Sequence, residues 1–347
     1  MTSDNKLKVI IDCDPGIDDA FAVLTALSAS PEIVVLAMTA SFGNVRTEIA
    51  TKNIELLLKL SKKAGVIVGR GSDSAMNGKQ KEHVADFVHG KDGFGDCHAF
   101  DSSDLAPERA NDGSIGAEEG EEVTSSEEVM SRIARENPGE VTVICLATAT
   151  NVVNAMRADK ELAKNLKSIV HLGGAYQCSG NVNPVAEANV YADAEAADEL
   201  YGTHDVDIFV VGLDVTQNVR MSEEKLIEMV NTKSRNDGTN LSDLERKFLF
   251  KASQFYMNYH IKSMNYRGIL QHDSVCVMSA IKPELFDWTK ARVRVATESF
   301  SRGKTLMDVE GCKNWMFENA WTGRPLIKIA LSANFEGIQQ CLFDRYI

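Results

Sequence analysis

The chain has 347 residues, 44% hydrophobic and 25% charged, with a formal net charge of −13. This length supports a full hydrophobic core without covalent staples. No stretch reaches the roughly 18 apolar residues of a membrane-spanning helix, and an acidic chain with no basic stripe is not built for nucleic acid. The seven cysteines form no Cys-x-x-Cys pair, and Cys13, Cys145 and Cys276 sit within apolar stretches. That usage fits a reduced, cytoplasmic protein, and it argues against both a disulfide framework and a zinc site.

In chain order, Lys8–Asp12, Ile33–Thr39, Val66–Val68, Val141–Leu146, Ile169–Leu172 and Ile208–Val211 read as buried strands rich in Val and Ile. The apolar run before Asp12 is too short for a signal peptide. Helical spacing falls between the strands, over Asp18–Ala29, Thr47–Lys62, Glu127–Glu136, Asn151–Met156 and Ala194–Tyr201. Further on, Ser222–Asn231 and Leu241–Met264 read as helices, Ile327–Leu331 as a strand and Phe335–Phe343 as a last helix. Alternation of this kind predicts an α/β fold with an open, mostly parallel central sheet flanked by helices. One domain over 1–347 is expected, interrupted by a mobile insertion at 101–128 that carries ten acidic residues and one basic residue.

Ligands of such folds gather at the carboxyl ends of the strands. There the sequence repeatedly offers carboxylates and carboxamides: Asp12, Asp14, Asp18 and Asp19 after the first strand, Asn44 after the second, Asn151 after the fourth, and Asn181, Glu187 and Asn189 after the fifth. Four carboxylates within eight residues repel one another unless a cation lies among them, and all-oxygen donors favour Ca²⁺ or Mg²⁺.

Asp12-Cys13-Asp14-Pro15-Gly16-Ile17-Asp18-Asp19-Ala20 resembles the N-terminal signature of the nucleoside hydrolase (inosine-uridine/purine nucleosidase) family. Gly43-Asn44, Gly173-Gly174-Ala175, Asn181–Val190, Asp193–Ala197, Gly212–Thr216 and His272-Asp273 are similar to later blocks of that family. The likeness is strongest to its purine-specific, inosine/guanosine branch of the protozoan type. It implies the nucleoside-hydrolase fold with a Rossmann-like core, a Ca²⁺ held by Asp14, Asp19, Asp273 and the Leu146 carbonyl, and Asp18, Asn44, Asn181, Glu187 and Asn189 on the ribose. The implied reaction is hydrolysis of purine ribonucleosides to ribose and base by a Ca²⁺-bound water, in purine salvage, by a homo-oligomer (dimer or tetramer). Asp14 is the candidate general base. His272, beside Asp273, is the candidate acid for the leaving base, and His89 matches a loop that would line the base pocket. For Phe255–His260 two readings stand: a buried aromatic face of a long helix, or a lid that brings Tyr256 and His260 onto the base. Asp12-x-Asp14 is also similar to haloacid-dehalogenase-type phosphatases, but Gly16 stands where those enzymes usually carry Thr or Val.

Overall fold

A computed structural model describes residues 6–28, 32–79, 84–97, 124–235 and 240–347. His83, His98 and the acidic stretch as far as residue 123 lie outside them. Eleven strands are present among the described residues: β1 Leu7–Cys13, β2 Ile33–Ala40, β3 Ile67–Arg70, β4 Val141–Cys145, β5 Leu166–Leu172, β6 Asp207–Val211, β7 Arg220–Ser222, β8 Gly268–Leu270, β9 Phe286–Val295, β10 Thr305–Val309 and β11 Ile327–Ala333. Nine of them form one sheet in the order β10-β9-β11-β6-β5-β4-β1-β2-β3. From β11 to β3 all neighbours are parallel, whereas β9 runs antiparallel to both β11 and β10. The expected mostly parallel α/β sheet is therefore present.

Each strand of the parallel part is buried on two faces, so it reads as a nearly continuous apolar run. In β1, Val9, Ile11 and Cys13 enter the core under the helices Ile17–Ser28, Asp243–Met264 and His272–Ile281. Ile10 points to the other face, against Val129, Val152 and Ala197 of the opposite helical layer. The strand β9 and the edge strand β10 are absent from the sequence reading. Phe286–Val295 alternates buried with half-exposed residues and mixes charge with apolar side chains, so it contains no apolar run.

The order β3-β2-β1-β4-β5-β6 reverses direction between β1 and β4, which opens a crevice at their carboxyl ends. Asp12 sits at that reversal, fully buried. Its carboxylate accepts from Thr39 Oγ1 at 2.6 Å and Asn151 Nδ2 at 2.8 Å. Burial raises its pKa to about 6, against the lowering effect of those bonds. Asn151 also donates to the Ala40 carbonyl and accepts from Ser72 N–H, so one side chain ties the ends of β1, β2 and β3 together. Asn151→Ala removes one hydrogen bond from each of Asp12, the Ala40 carbonyl and the half-buried Ser72 N–H, of which the first two keep a bond from Thr39 and Gly71, and is expected to lower the unfolding free energy by about 1–2 kcal/mol. Urea denaturation measures this, and a loss below about 0.5 kcal/mol would contradict the assignment.

Candidate active site

The site starts where β1 ends. Asp14-Pro15-Gly16 turns the chain into the helix Ile17–Ser28, whose first turn carries Asp18 and Asp19. Gly16 N–H donates to Asp19 Oδ2 at 3.0 Å, and Ile17 N–H donates to His89 Nδ1 at 3.1 Å. Two glycines leave the room this packing requires. A Cβ on Gly16 would lie 2.8 Å from His89 Nδ1, and one on Gly43 would lie 1.9 Å from Asp14 Oδ2. Asn44 bridges the acids, its backbone N–H on Asp14 and its Nδ2 on Asp19 Oδ2 at 3.0 Å.

Asp273, in the first turn of the helix His272–Ile281, reaches the same place. Asp18, Asp19 and Asp273 are buried, and each offers an oxygen within 4.8 Å of the others. Asp18 Oδ1 and Asp19 Oδ1 are shielded from solvent and have no hydrogen-bond partner among the described residues. Burial and neighbouring carboxylates push the pKa of both Asp19 and Asp273 well up. Asp18 moves down: burial opposes its charge, but His89 and a hydrogen bond with Asp273 prevail. A hard divalent cation fits this donor set, because it replaces the protons the cluster otherwise retains. Asp14, expected as a ligand, lies outside the three-carboxylate group but close enough that its charge raises Asp19 and Asp273. The Leu146 carbonyl accepts from Asn189 Nδ2 at 2.8 Å, which uses one of its two lone pairs.

The remaining expected residues divide into two groups. Glu187 caps the helix Ala188–Ala192 and accepts from the backbone N–H of Gly174, Asn189 and Val190. Asn189 spends its amide hydrogens on the Leu146 and Leu172 carbonyls, so Oδ1 is the group it has left to offer. Asn181 differs: it is exposed in a surface turn, and its backbone N–H bonds to Ala186 O.

Beside Asp18 stands a group of rings. Tyr256 O–H donates to Asp18 Oδ2 at 3.3 Å, and its ring lies 5.3 Å from that of His89 and 4.2 Å from that of His260. His89 Nδ1, which accepts from Ile17 N–H, also lies 3.8 Å from Asp18 Oδ1. His260 bonds through Nδ1 to the Gly268 carbonyl, and its pKa falls to about 4 by burial and then by the charge of His272. Both Tyr256 and His260 lie inside the continuous helix Asp243–Met264, which opens on a Ser242/Glu245 capping box and closes on Asn265 in the left-handed region. The stretch Phe255–His260 thus lies within one uninterrupted helix, with Tyr256, Met257 and His260 buried. Sequence reasoning gave Thr216 no role, although its Oγ1 lies 2.7 Å from His272 Nδ1. Its position four residues beyond Gly212, at the end of β6, was the available signal.

Stability should report on this cluster. With raised pKa values, Asp19 and Asp273 keep protons in the folded protein that the unfolded chain releases near 3.8. Without a cation, stability therefore falls as pH rises from that value through the folded pKa values, and a bound cation offsets the loss. The rise in melting temperature on adding excess divalent cation is expected to grow between about pH 4 and pH 8. An increment that stays constant or shrinks over that range would show that these carboxylates do not form the cation site.

Comparison with known proteins bears on this geometry. Residues 9–340 match the family described as inosine-uridine preferring nucleoside hydrolase. Uridine nucleosidase 1 of Arabidopsis thaliana is 38% identical over 331 residues, covering 95% of this chain and 90% of its own. The pyrimidine-specific ribonucleoside hydrolase of Salmonella typhimurium is 31% identical over 304 residues, covering 87% and 88%. Among solved structures, a plant nucleoside hydrolase superposes with a TM-score of 0.85 at 35% identity, covering 98% of each chain. These relatives are named for uridine or pyrimidine, or for nucleosides in general, and two are plant proteins, which corrects the expected likeness to the protozoan purine-specific branch. Fold, carboxylate cluster and sequence similarity agree that the chain belongs to the inosine-uridine preferring nucleoside hydrolase family.

Proposed function

We propose that the protein cleaves the N-glycosidic bond of ribonucleosides with uridine and inosine both as substrates, rather than purine nucleosides alone, and that its cation is Ca²⁺. The observation that carries the reading is the buried Asp18-Asp19-Asp273 cluster beside the rings of His89, Tyr256 and His260. The uridine assignment draws on the relatives' names, and inosine on the family description.

Asp14, Asp19 and Asp273 would hold the cation with the Leu146 carbonyl, and Asp18 beside them. When bound, Ca²⁺ supplies a Lewis acid that orients the ribose diol and a water. Asp14, fixed by the Asn44 N–H, takes the proton of the attacking water. Asp18, Asn44, Glu187 and Asn189 bind the ribose hydroxyls, with Asn189 accepting through Oδ1. As the C1′–N bond breaks, its electron pair leaves with the base, and positive charge grows on the sugar. The surrounding carboxylates stabilise that charge. His272 donates its Nε2 proton to the departing base, since Nδ1 is engaged by Thr216. Burial lowers the pKa of His272 while Asp18 opposes the fall.

Steady-state hydrolysis of uridine, cytidine, inosine, guanosine and adenosine side by side tests the substrate range. Turnover of inosine and guanosine with none of uridine would overturn it and restore the purine-specific alternative. Asp14→Asn is expected to lower kcat for every substrate by about 10²–10⁴-fold. A near wild-type rate in that variant assigns the base elsewhere. Exhaustive chelation should abolish turnover and Ca²⁺ should restore it, whereas full activity in a metal-free preparation would sink the cation assignment.

A further inference from the structure

The two-stranded ribbon β7/β8 lies apart from the main sheet, and the reaction as derived does not use it. It pairs Arg220 with Leu270, Met221 with Ile269 and Ser222 with Gly268, antiparallel. Its two open ends are informative. Four residues before Arg220 stands Thr216, last residue of the helical turn Leu213–Thr216 after β6. Two residues beyond Leu270 stands His272, first residue of the helix His272–Ile281. One more backbone bond, Gln271 N–H to Val219 O at 3.2 Å, extends the ribbon toward both. Fifty-six residues separate Thr216 and His272, yet their side chains meet at 2.7 Å, with Thr216 fully buried.

We infer that Thr216 is a positioning residue for the leaving-group acid: its hydroxyl anchors Nδ1 of His272, and the β7/β8 ribbon clamps the two residues so that Nε2 is the ring nitrogen presented to the nucleobase. This rests on the reading of His272 given above. A hydroxyl donates to a bare Nδ1 and accepts from Nδ1–H, so the contact holds whichever ring nitrogen carries the proton. An imidazole without a partner on Nδ1 can rotate and exchange its nitrogen and carbon edges, and a group held outside attack geometry loses most of its catalytic effect. Thr216 touches no reacting atom in this assignment, so its removal should matter only where a base must be protonated as it leaves.

That distinction is measurable. Thr216→Val keeps the shape of the side chain and deletes the hydroxyl. It is expected to lower kcat on uridine and inosine by about 10–100-fold, in the range of other supporting hydrogen bonds one shell out, with KM changed by less than about threefold. On 4-nitrophenyl riboside, whose phenolate leaves without an acid, the same variant should stay within about twofold of wild type. Thr216→Ser restores the hydroxyl and should recover most of the nucleoside rate, and Thr216→Ala provides the deletion should valine not be accommodated. Equal losses on both classes of substrate, or no loss on either, would overturn the inference, as would a failure of Thr216→Ser to recover activity. His272→Ala, run in parallel, separates the two levels. If it spares 4-nitrophenyl riboside while Thr216→Val does not discriminate, the positioning role alone falls. If His272→Ala itself does not discriminate, the acid assignment falls and the positioning role with it.

Discussion

Burying several carboxylates at the end of one strand is the constraint around which this protein is arranged. Asp12, Asp14, Asp18, Asp19 and Asp273 are all nearly or fully withdrawn from solvent. An ionised carboxylate in such surroundings is costly unless it is hydrogen-bonded, protonated or paired with a cation. Asp12 is satisfied by protein donors, and it serves the fold. Asp18 and Asp19 keep one oxygen each without a donor, and burial with neighbouring carboxylates pushes the pKa of Asp19 and Asp273 well up. The same strand end therefore holds one carboxylate spent on structure and others held in reserve for a ligand.

The surrounding residues serve that arrangement. Gly16 and Gly43 are glycine because any Cβ would strike His89, Asn44 or Asp14. Glu187 takes three backbone N–H groups that would otherwise stay unpaired at a helix start and in the Gly173-Gly174 turn. Asn189 occupies the carbonyls at the ends of β4 and β5. These side chains are held by hydrogen bonds to the backbone, which fixes their orientation. The other flank of the cluster is built differently, from rings on the helix Asp243–Met264 and the short segment Asp86–His89, packed edge to face or tilted. Such rings offer area and a few directed donors, a chemistry suited to flat heterocycles of more than one size.

Much of the site was legible in the sequence because it is local. The Asp14–Asp19 segment encodes its own turn and places two acids in the first turn of a helix, and the apolar runs of β1, β2, β4, β5 and β6 announce strands buried on both faces. The helix Asp243–Met264 was legible too, read over Leu241–Met264. The strand β9 and the edge strand β10 were not, since β9 mixes Lys and Arg with its apolar residues and β10 is only five residues long.

What the sequence determined alone was therefore the parallel α/β sheet, the acidic strand end and the residue types gathered around it. Tertiary structure decided which of those residues meet. It brought Asp273 to Asp18 and Asp19 across more than 250 positions, kept Asp14 outside the three-carboxylate group, left Asn181 on the surface and set Thr216 against His272. It also set the rings of Tyr256 and His260 against each other on the buried face of one helix. The physical reason is that strand and helix periodicity arise from contacts a few residues apart, whereas a site at a topological switch point depends on the order in which strands pair, and that order is set by burial of the whole core.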